Sequence, residues 1–332
     1  MASTRTLNIS SREEMDAYRW FPNAQTLTYA KVAVPQPAHD EVLVKVLAAG
    51  MCHSDMLYYD ESFKHTNTKP FTMGHEGAGE LVALGESVPS MFPELRLNQY
   101  VVIHSRNACY LPDCPHCSIG ADNHCRRHLP CGLGIDGSYA PYVAVPARTI
   151  VPVNATTEVI SPPVAAVSTD AVLTSYHALK DLKAGATVLI IGIGGLGMNA
   201  IQIAKNLKKA KTVIVSDTRD VTFQAALKVG ADYAAKPEDL ASLISSNNLT
   251  VDTVCDFVGI TATFHISSPL PPKELSIKTN IWGTKKELAE VLAEVKALKI
   301  TPVIETRPLS KAVETFEDMR NSKLTGRVVL IP

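Results

Sequence analysis

The apolar positions of this chain change rhythm near residue 185. Before that point they fall in short alternating runs, such as 41–47 (EVLVKVL) and 100–104 (YVVIH), separated by turns carrying Pro and Gly. Period-two alternation predicts half-buried strands, so the first half reads as β-rich. Beyond residue 185 strands alternate with helices. Thr187–Ile191 (TVLII) is a continuous apolar run, as a parallel strand covered on both faces requires. A glycine-rich turn and a helical pattern over 198–207 follow it. Thr212–Ser216 is a second strand, 221–229 a helix, and 231–235 and 251–257 the third and fourth strands, with a Pro-started helix over 238–245 between the last two. This alternation predicts a doubly wound parallel sheet. Toward the end, Ala312, Val313, Phe316 and Met319 share one helix face, and Arg327–Ile331 is a last strand. There is no internal repeat.

Composition narrows the function classes. The chain has 332 residues, 46% hydrophobic and 20% charged, with a net charge of −1. Near-neutral charge gives no electrostatic case for nucleic acid or an anionic membrane as partner. The polar start, MASTRTLNISSREEMDAY, lacks the apolar core of a signal peptide, and every apolar run is too interrupted to span a bilayer. The expected location is therefore cytoplasmic.

The turn after Thr187–Ile191 reads GIGGLG over 192–197. A GxGxxG pattern alone is weak, but here a buried strand precedes it and a helix opens at Leu196. Gly192 permits the tight turn, Gly194 and Gly195 let the backbone approach a pyrophosphate, and Gly197 lets helix and strand pack closely. The helix N-terminus at Leu196 then faces negative charge. Asp217, twenty residues past Gly197 and just after the second strand, is suited to accept the adenosine ribose hydroxyls. That favours NAD over NADP, although Arg219 nearby could accommodate a 2′-phosphate.

Seven cysteines supply the second signal. Cys109, Cys114, Cys117 and Cys125 lie within seventeen residues with spacing Cx4CxxCx7C. In a large chain with no secretory signal such a cluster favours metal over disulfides, and four thiolates enclose zinc with no open position. The site would be structural. Cys131, His116, His124 and His128 stand close enough in sequence to leave the choice of ligands open. A second, dispersed constellation comprises GMCHSD (50–55) and GHE (74–76), whose Cys52 and His75 are suitable zinc ligands; taken singly, each also reads as an ordinary buried residue.

With these pieces in order, the chain resembles the zinc-containing medium-chain alcohol dehydrogenases. The resemblance runs from about residue 41 to 332 and rests on GMCHSD, GHEGAG (74–79), the cysteine loop, DGSYAPYV (136–143), TDAVLTSYHAL (169–179), IGIGGLG (191–197) and TGRVVLIP (325–332). It implies a GroES-like catalytic domain over 1–163 and 301–332 and a Rossmann NAD-binding domain over 164–300. It implies two zinc ions per chain, with Cys52, His75 and Asp170 holding the catalytic one. Glu76 would lie just behind that metal, Asp55 would orient His75, and Ser54 would accept the substrate proton. Some relatives carry an outer relay His where this chain has Leu57, so His53 becomes the candidate for passing the proton onward. The implied reaction is hydride transfer between NAD(H) and a primary or secondary alcohol, or the matching aldehyde or ketone, in a homodimer or homotetramer.

One departure concerns the sheet. Only fifteen residues separate Gly259 from a further strand expected over 275–282, three of them Pro. A βαβ unit takes roughly 30 residues. A strand-helix unit is therefore expected to be missing, with the gap closed by the 275–282 strand or by a partner chain. This motivates an alternative, a zinc Lewis-acid enzyme of the same fold running a non-redox step. A non-catalytic scaffold is a third possibility, opposed by intact Cys52, His75, Glu76, Asp170 and Ser54. Lesser departures are Asn98-Gln99 in place of Gly-Asp and the longer first cysteine spacing.

Overall fold

The computed structural model describes residues 13–60, 67–267 and 279–332. The chain forms two compact units: Met1–Asp170 with Thr284–Leu292 and Ile304–Pro332, and Ala171–Gly283 with Ala293–Val303.

The first unit is built on a seven-stranded sheet. Its path runs Ile304–Pro308, Arg327–Ile331, Glu41–Met51, Glu76–Leu84, Tyr100–Ile103 and Ile150–Pro152, with Tyr142–Pro146 also pairing Glu41–Met51. All neighbours are antiparallel except the first two strands. The 41–47 alternation predicted only part of the Glu41–Met51 strand; it continues to Met51 because Ala49 and Gly50 pair on both edges and Met51 still pairs Val328. Register brings three strand ends together, with Val328 opposite Met51 and Gly50 opposite Glu76. A smaller sheet orders Thr28–Ala33, Glu14–Trp20 and Phe71–Thr72. Trp20, Tyr58 and Phe71 stack in the core between elements of this unit, so these aromatics serve packing.

The second unit holds a parallel sheet in the order Tyr233–Ala235, Thr212–Ser216, Thr187–Ile191, Thr253–Asp256. Its two central strands are buried along their whole length, as their unbroken apolar runs require. Helix Gly195–Gln202 continues as a π-turn over Ile203–Leu207, so the 198–207 pattern is helical throughout but wider in its second half. Among the described residues the sheet ends at Thr253–Asp256. The expected strand over 275–282 is partly overturned. Residues 275–278 lie outside the described residues, while 279–282 form no strand, and Trp282 has φ +47°, which a strand does not tolerate.

Helix Lys285–Lys296 opens with a reciprocal cap: Thr284 Oγ1 accepts from the Glu287 backbone N–H, and the Glu287 carboxylate accepts from that of Thr284. None of the helices, among the described residues, is long and apolar enough to cross a membrane.

Candidate active site and metal centres

Cys52 follows the Glu41–Met51 strand and caps the short helix His53–Tyr59. Asp55, three residues on, returns its Oδ2 to the Cys52 backbone N–H at 3.2 Å. His75 precedes the Glu76–Leu84 strand, and Asp170 comes from a π-turn, Ser168–Val172, that widens the end of helix Pro162–Val167. Such a turn re-aims a side chain that a regular helix would direct elsewhere.

These elements converge. One donor atom each from Cys52, His75, Glu76 and Asp170 lies within 4.8 Å of all the others, and all four residues are buried. Asp170 Oδ2 is 3.3 Å from Cys52 Sγ and 3.4 Å from His75 Nε2. A tetrahedral zinc ion with bonds of about 2.0–2.3 Å keeps O, N and S donors about 3.3–3.5 Å apart, and the two distances from Asp170 Oδ2 match that spacing. His75 Nδ1 lies 3.0 Å from Asp55 Oδ1, which fixes the ring and leaves Nε2 facing the other donors.

Charge points the same way. Burial opposes a charged His75, yet Asp55, Asp170 and Cys52 together lift its pKa well above the ordinary histidine range. Burial pushes the Glu76 carboxyl up to about 7 against the pull of Arg327. A buried thiol and two buried carboxyl groups, Glu76 and Asp170, crowd one guanidinium, and the lifted His75 pKa reports the negative field that a bound cation would answer.

Sequence reasoning missed two members of this cluster. Arg327, buried at the head of the last strand, holds Glu76 with Nη2–Oε1 at 2.6 Å and reaches Asp170 Oδ2 at 3.2 Å. Its signal was a charge opening an otherwise apolar strand, RVVLI, since a buried guanidinium must be paired. Tyr139 is fully buried, and its hydroxyl donates to Asp55 Oδ2 at 2.6 Å. Burial, then Asp55, raise the Tyr139 pKa well above its usual range, so it stays a donor. Gly50 matters here: a Cβ at that position would fall 1.8 Å from Glu76 Oε2.

Ser54 flanks the cluster with Oγ 3.6 Å from Cys52 Sγ, while His53 is exposed beside it. Leu57 is exposed too, on the same short helix.

Cys109, Cys114, Cys117 and Cys125 form a second donor set within 4.8 Å. Cys109 and Cys117 sulfurs are 3.7 Å apart, close to the roughly 3.8 Å of two thiolates on tetrahedral zinc. Backbone N–H groups of Cys117 and His116 pull the Cys114 thiol down to about 6, ready for metal. Neither His116, His124 nor His128 joins the set, and Cys131 sits in the apolar core, its thiol pushed up to about 12 by burial. Arg106 braces the loop by donating to the carbonyls of Asn123 and Cys125.

In the second unit the 192–197 turn joins strand Thr187–Ile191 to helix Gly195–Gln202 through closely packed glycines. Gly192 has φ +90°, and a Cβ on Gly197 would meet the Gly192 carbonyl oxygen at 2.0 Å. Nothing lies within 4 Å of a Cβ at Gly194, which leaves that face of the turn open to a ligand. Gly195 and Leu196 begin the helix. Asp217 accepts the Ile193 backbone N–H at 2.8 Å, tying the second strand's end to the turn. Arg219 folds back on the same carboxylate, with Nε 3.2 Å from Oδ1.

Comparisons with known proteins agree with this chemistry. The alcohol dehydrogenase GroES-like domain matches residues 38–155. An alcohol dehydrogenase of Geobacillus stearothermophilus is 30% identical over 335 residues, covering 92% of this chain and 96% of its own. An NAD-dependent alcohol dehydrogenase of Saccharolobus solfataricus is 29% identical, covering 96% of this chain and 100% of its own. Among solved structures, acetophenone reductase from Geotrichum candidum in complex with NAD superposes with a TM-score of 0.81 at 30% identity, covering 97% of this chain and 98% of that one. With donor sets that fit two zinc ions, a glycine turn shaped for a dinucleotide and relatives matched along their whole length, this chain belongs to the zinc-containing alcohol dehydrogenase family of medium-chain dehydrogenases/reductases.

Proposed function

We propose that this protein is an NAD-linked zinc alcohol dehydrogenase or carbonyl reductase, passing hydride between NAD(H) and a primary or secondary alcohol or the corresponding aldehyde or ketone. The observation that carries the reading is the buried Cys52, His75 and Asp170 triad, with spacings of 3.3 and 3.4 Å that match tetrahedral zinc. These three residues would hold the catalytic ion, which supplies Lewis acidity toward a substrate oxygen. The four cysteines of the 109–125 loop would hold the structural ion.

The chain's own groups do the rest. Ser54 stands within reach of the same donors and takes the proton of a substrate hydroxyl. His53, exposed next to it, hands that proton to solvent in the role that Leu57 cannot fill. Glu76 balances charge behind the donors through its pair with Arg327. The 192–197 backbone and the helix N-terminus at Gly195 receive the pyrophosphate, and Asp217 accepts the ribose hydroxyls. We assign the protein to the cytoplasm, which fractionation of the source cells tests, and to a homodimer or homotetramer, which sedimentation of the purified chain tests.

The relatives' activities support the redox reading over a non-redox Lewis-acid step, whose only motive is the short segment after Gly259. Purified, zinc-loaded protein with NAD or NADH and a panel of alcohols, aldehydes and ketones is expected to change absorbance at the reduced-nicotinamide band. No turnover at full zinc content would sink the redox reading. Asp170→Ala is expected to lose one of two zinc ions and all activity; retention of both would overturn the choice of third ligand.

A further inference from the structure

We propose that Tyr139 is a positioning residue for the metal ligand His75, acting through Asp55; this rests on the reading that Cys52, His75 and Asp170 hold zinc. Asp55 is wholly buried and its two oxygens are divided between partners. Oδ1 faces His75 Nδ1 at 3.0 Å, while Oδ2 takes the Tyr139 hydroxyl at 2.6 Å and the Cys52 N–H at 3.2 Å. A carboxylate free to turn about its Cβ–Cγ bond could offer either oxygen to the imidazole at varying angles. The phenol removes that freedom, because its short bond pins Oδ2 and thereby aims Oδ1.

The phenol is itself held by the segment that carries His75. Tyr139 N donates to the Met73 carbonyl at 2.9 Å and Ser138 N to the Gly74 carbonyl at 2.8 Å, while Tyr18 N donates to the Tyr139 carbonyl at 3.0 Å. Its ring lies flat against Gly74, where a Cβ would be 2.4 Å from Cδ1 and where φ is +94°. Any side chain at 74 would push the hydroxyl off Asp55, so Gly74 and Tyr139 are one device. The phenol, Asp55 and His75 form a chain of two buried contacts that ends at the imidazole whose Nε2 would hold the metal.

Tyr139→Phe keeps the ring and deletes only the hydroxyl, which makes it the informative variant. In zinc-loaded protein, release of zinc to a chromogenic chelator is followed over time, with Cys52→Ser identifying which phase belongs to this site. Tyr139→Phe is expected to speed that phase about 3- to 10-fold, less than the full loss of an orienting carboxylate, and to leave the four-cysteine phase unchanged. Cobalt-substituted protein should show a shifted d–d band, since ligand direction sets the field. The same release rate and band as the unaltered protein would overturn the proposal. So would a melting temperature lowered equally with and without metal beside an unchanged band, which would mark the hydroxyl as a packing element only. If Cys52→Ser and Asp170→Ala both keep two zinc ions, the metal reading fails and Tyr139's role with it. If they lose one while Tyr139→Phe behaves as the unaltered chain, the role of Tyr139 alone falls.

Discussion

Arg327 and Glu76 lie out of water with the guanidinium clasping the carboxylate, Nε 3.1 Å from each oxygen and Nη2 2.6 Å from Oε1. Removing one member of such a pair strands the other, which costs more than the pair contributes. Arg327→Met is therefore expected to destabilise the metal-free protein by about 3–5 kcal/mol, read as a fall in the denaturation midpoint, and adding Glu76→Gln should recover most of the loss. A double variant no better than Arg327→Met would show that the guanidinium serves something other than Glu76. Asp217 shows the opposite balance. Burial works against its charge, but Arg219 and the Arg219 and Ile193 backbone N–H groups outweigh it and lower its pKa. A depressed folded pKa means that its contribution is present above the ordinary carboxylate value and is lost only as pH falls through the depressed one. NAD affinity measured by titration is thus expected to stay flat from neutral pH down through the usual carboxylate range. A fall beginning above that range would contradict the Asp217 assignment.

At the scale of elements, the turn between Thr187–Ile191 and Gly195–Gln202 works because its last glycine packs on the first, with a Cβ on Gly197 only 2.0 Å from the Gly192 carbonyl oxygen. Gly197→Ala must push the helix off the strand, since the opposing atom is backbone and cannot swing aside. The expected outcome is a rise of tenfold or more in the Kd for NAD with both zinc ions retained; unchanged affinity would remove the pyrophosphate from this turn. The same spacing was legible in the sequence, as glycine positions report backbone needs directly. The π-turn at Ser168–Val172 was not, because the residues STDAV carry no local mark of a widened turn. Asp170 entered the ligand set only through family resemblance. The strand expected over 275–282 failed over 279–282 because an apolar, β-prone run does not form a strand where backbone torsions such as that of Trp282 break it.

At the scale of the whole molecule, the first unit holds both donor sets and the second holds the glycine turn. Each has its own core, with Val44, Ile103 and Phe316 among the residues of one and Leu189, Ile191 and Ile214 among those of the other. Loss of the four-cysteine metal should therefore weaken the first unit in particular. Cys125→Ser is expected to bind one zinc fewer and to lower the first unit's calorimetric transition by about 6–12 °C, the shift that a loss of about 3 kcal/mol brings to a domain of this size. The transition of the second unit should stay in place; a common shift of both would deny their independence.

By itself the sequence determined what local chemistry dictates. It specified strands where apolar residues alternate or run unbroken, a strand-to-helix turn where glycines keep a fixed spacing, and a loop where four cysteines crowd. These features depend on neighbours in the chain, and neighbours are what a sequence displays. Tertiary structure alone decided that Cys131 and the three nearby histidines stand apart from the thiol set, because folding sends Cys131 into apolar packing. It alone brought Arg327 to Glu76 across 251 positions, and Tyr139 to Asp55 across 84. The sequence marks that a charge opening an apolar strand needs a partner, but strand register chooses which residue that is, and register leaves no trace in local spacing.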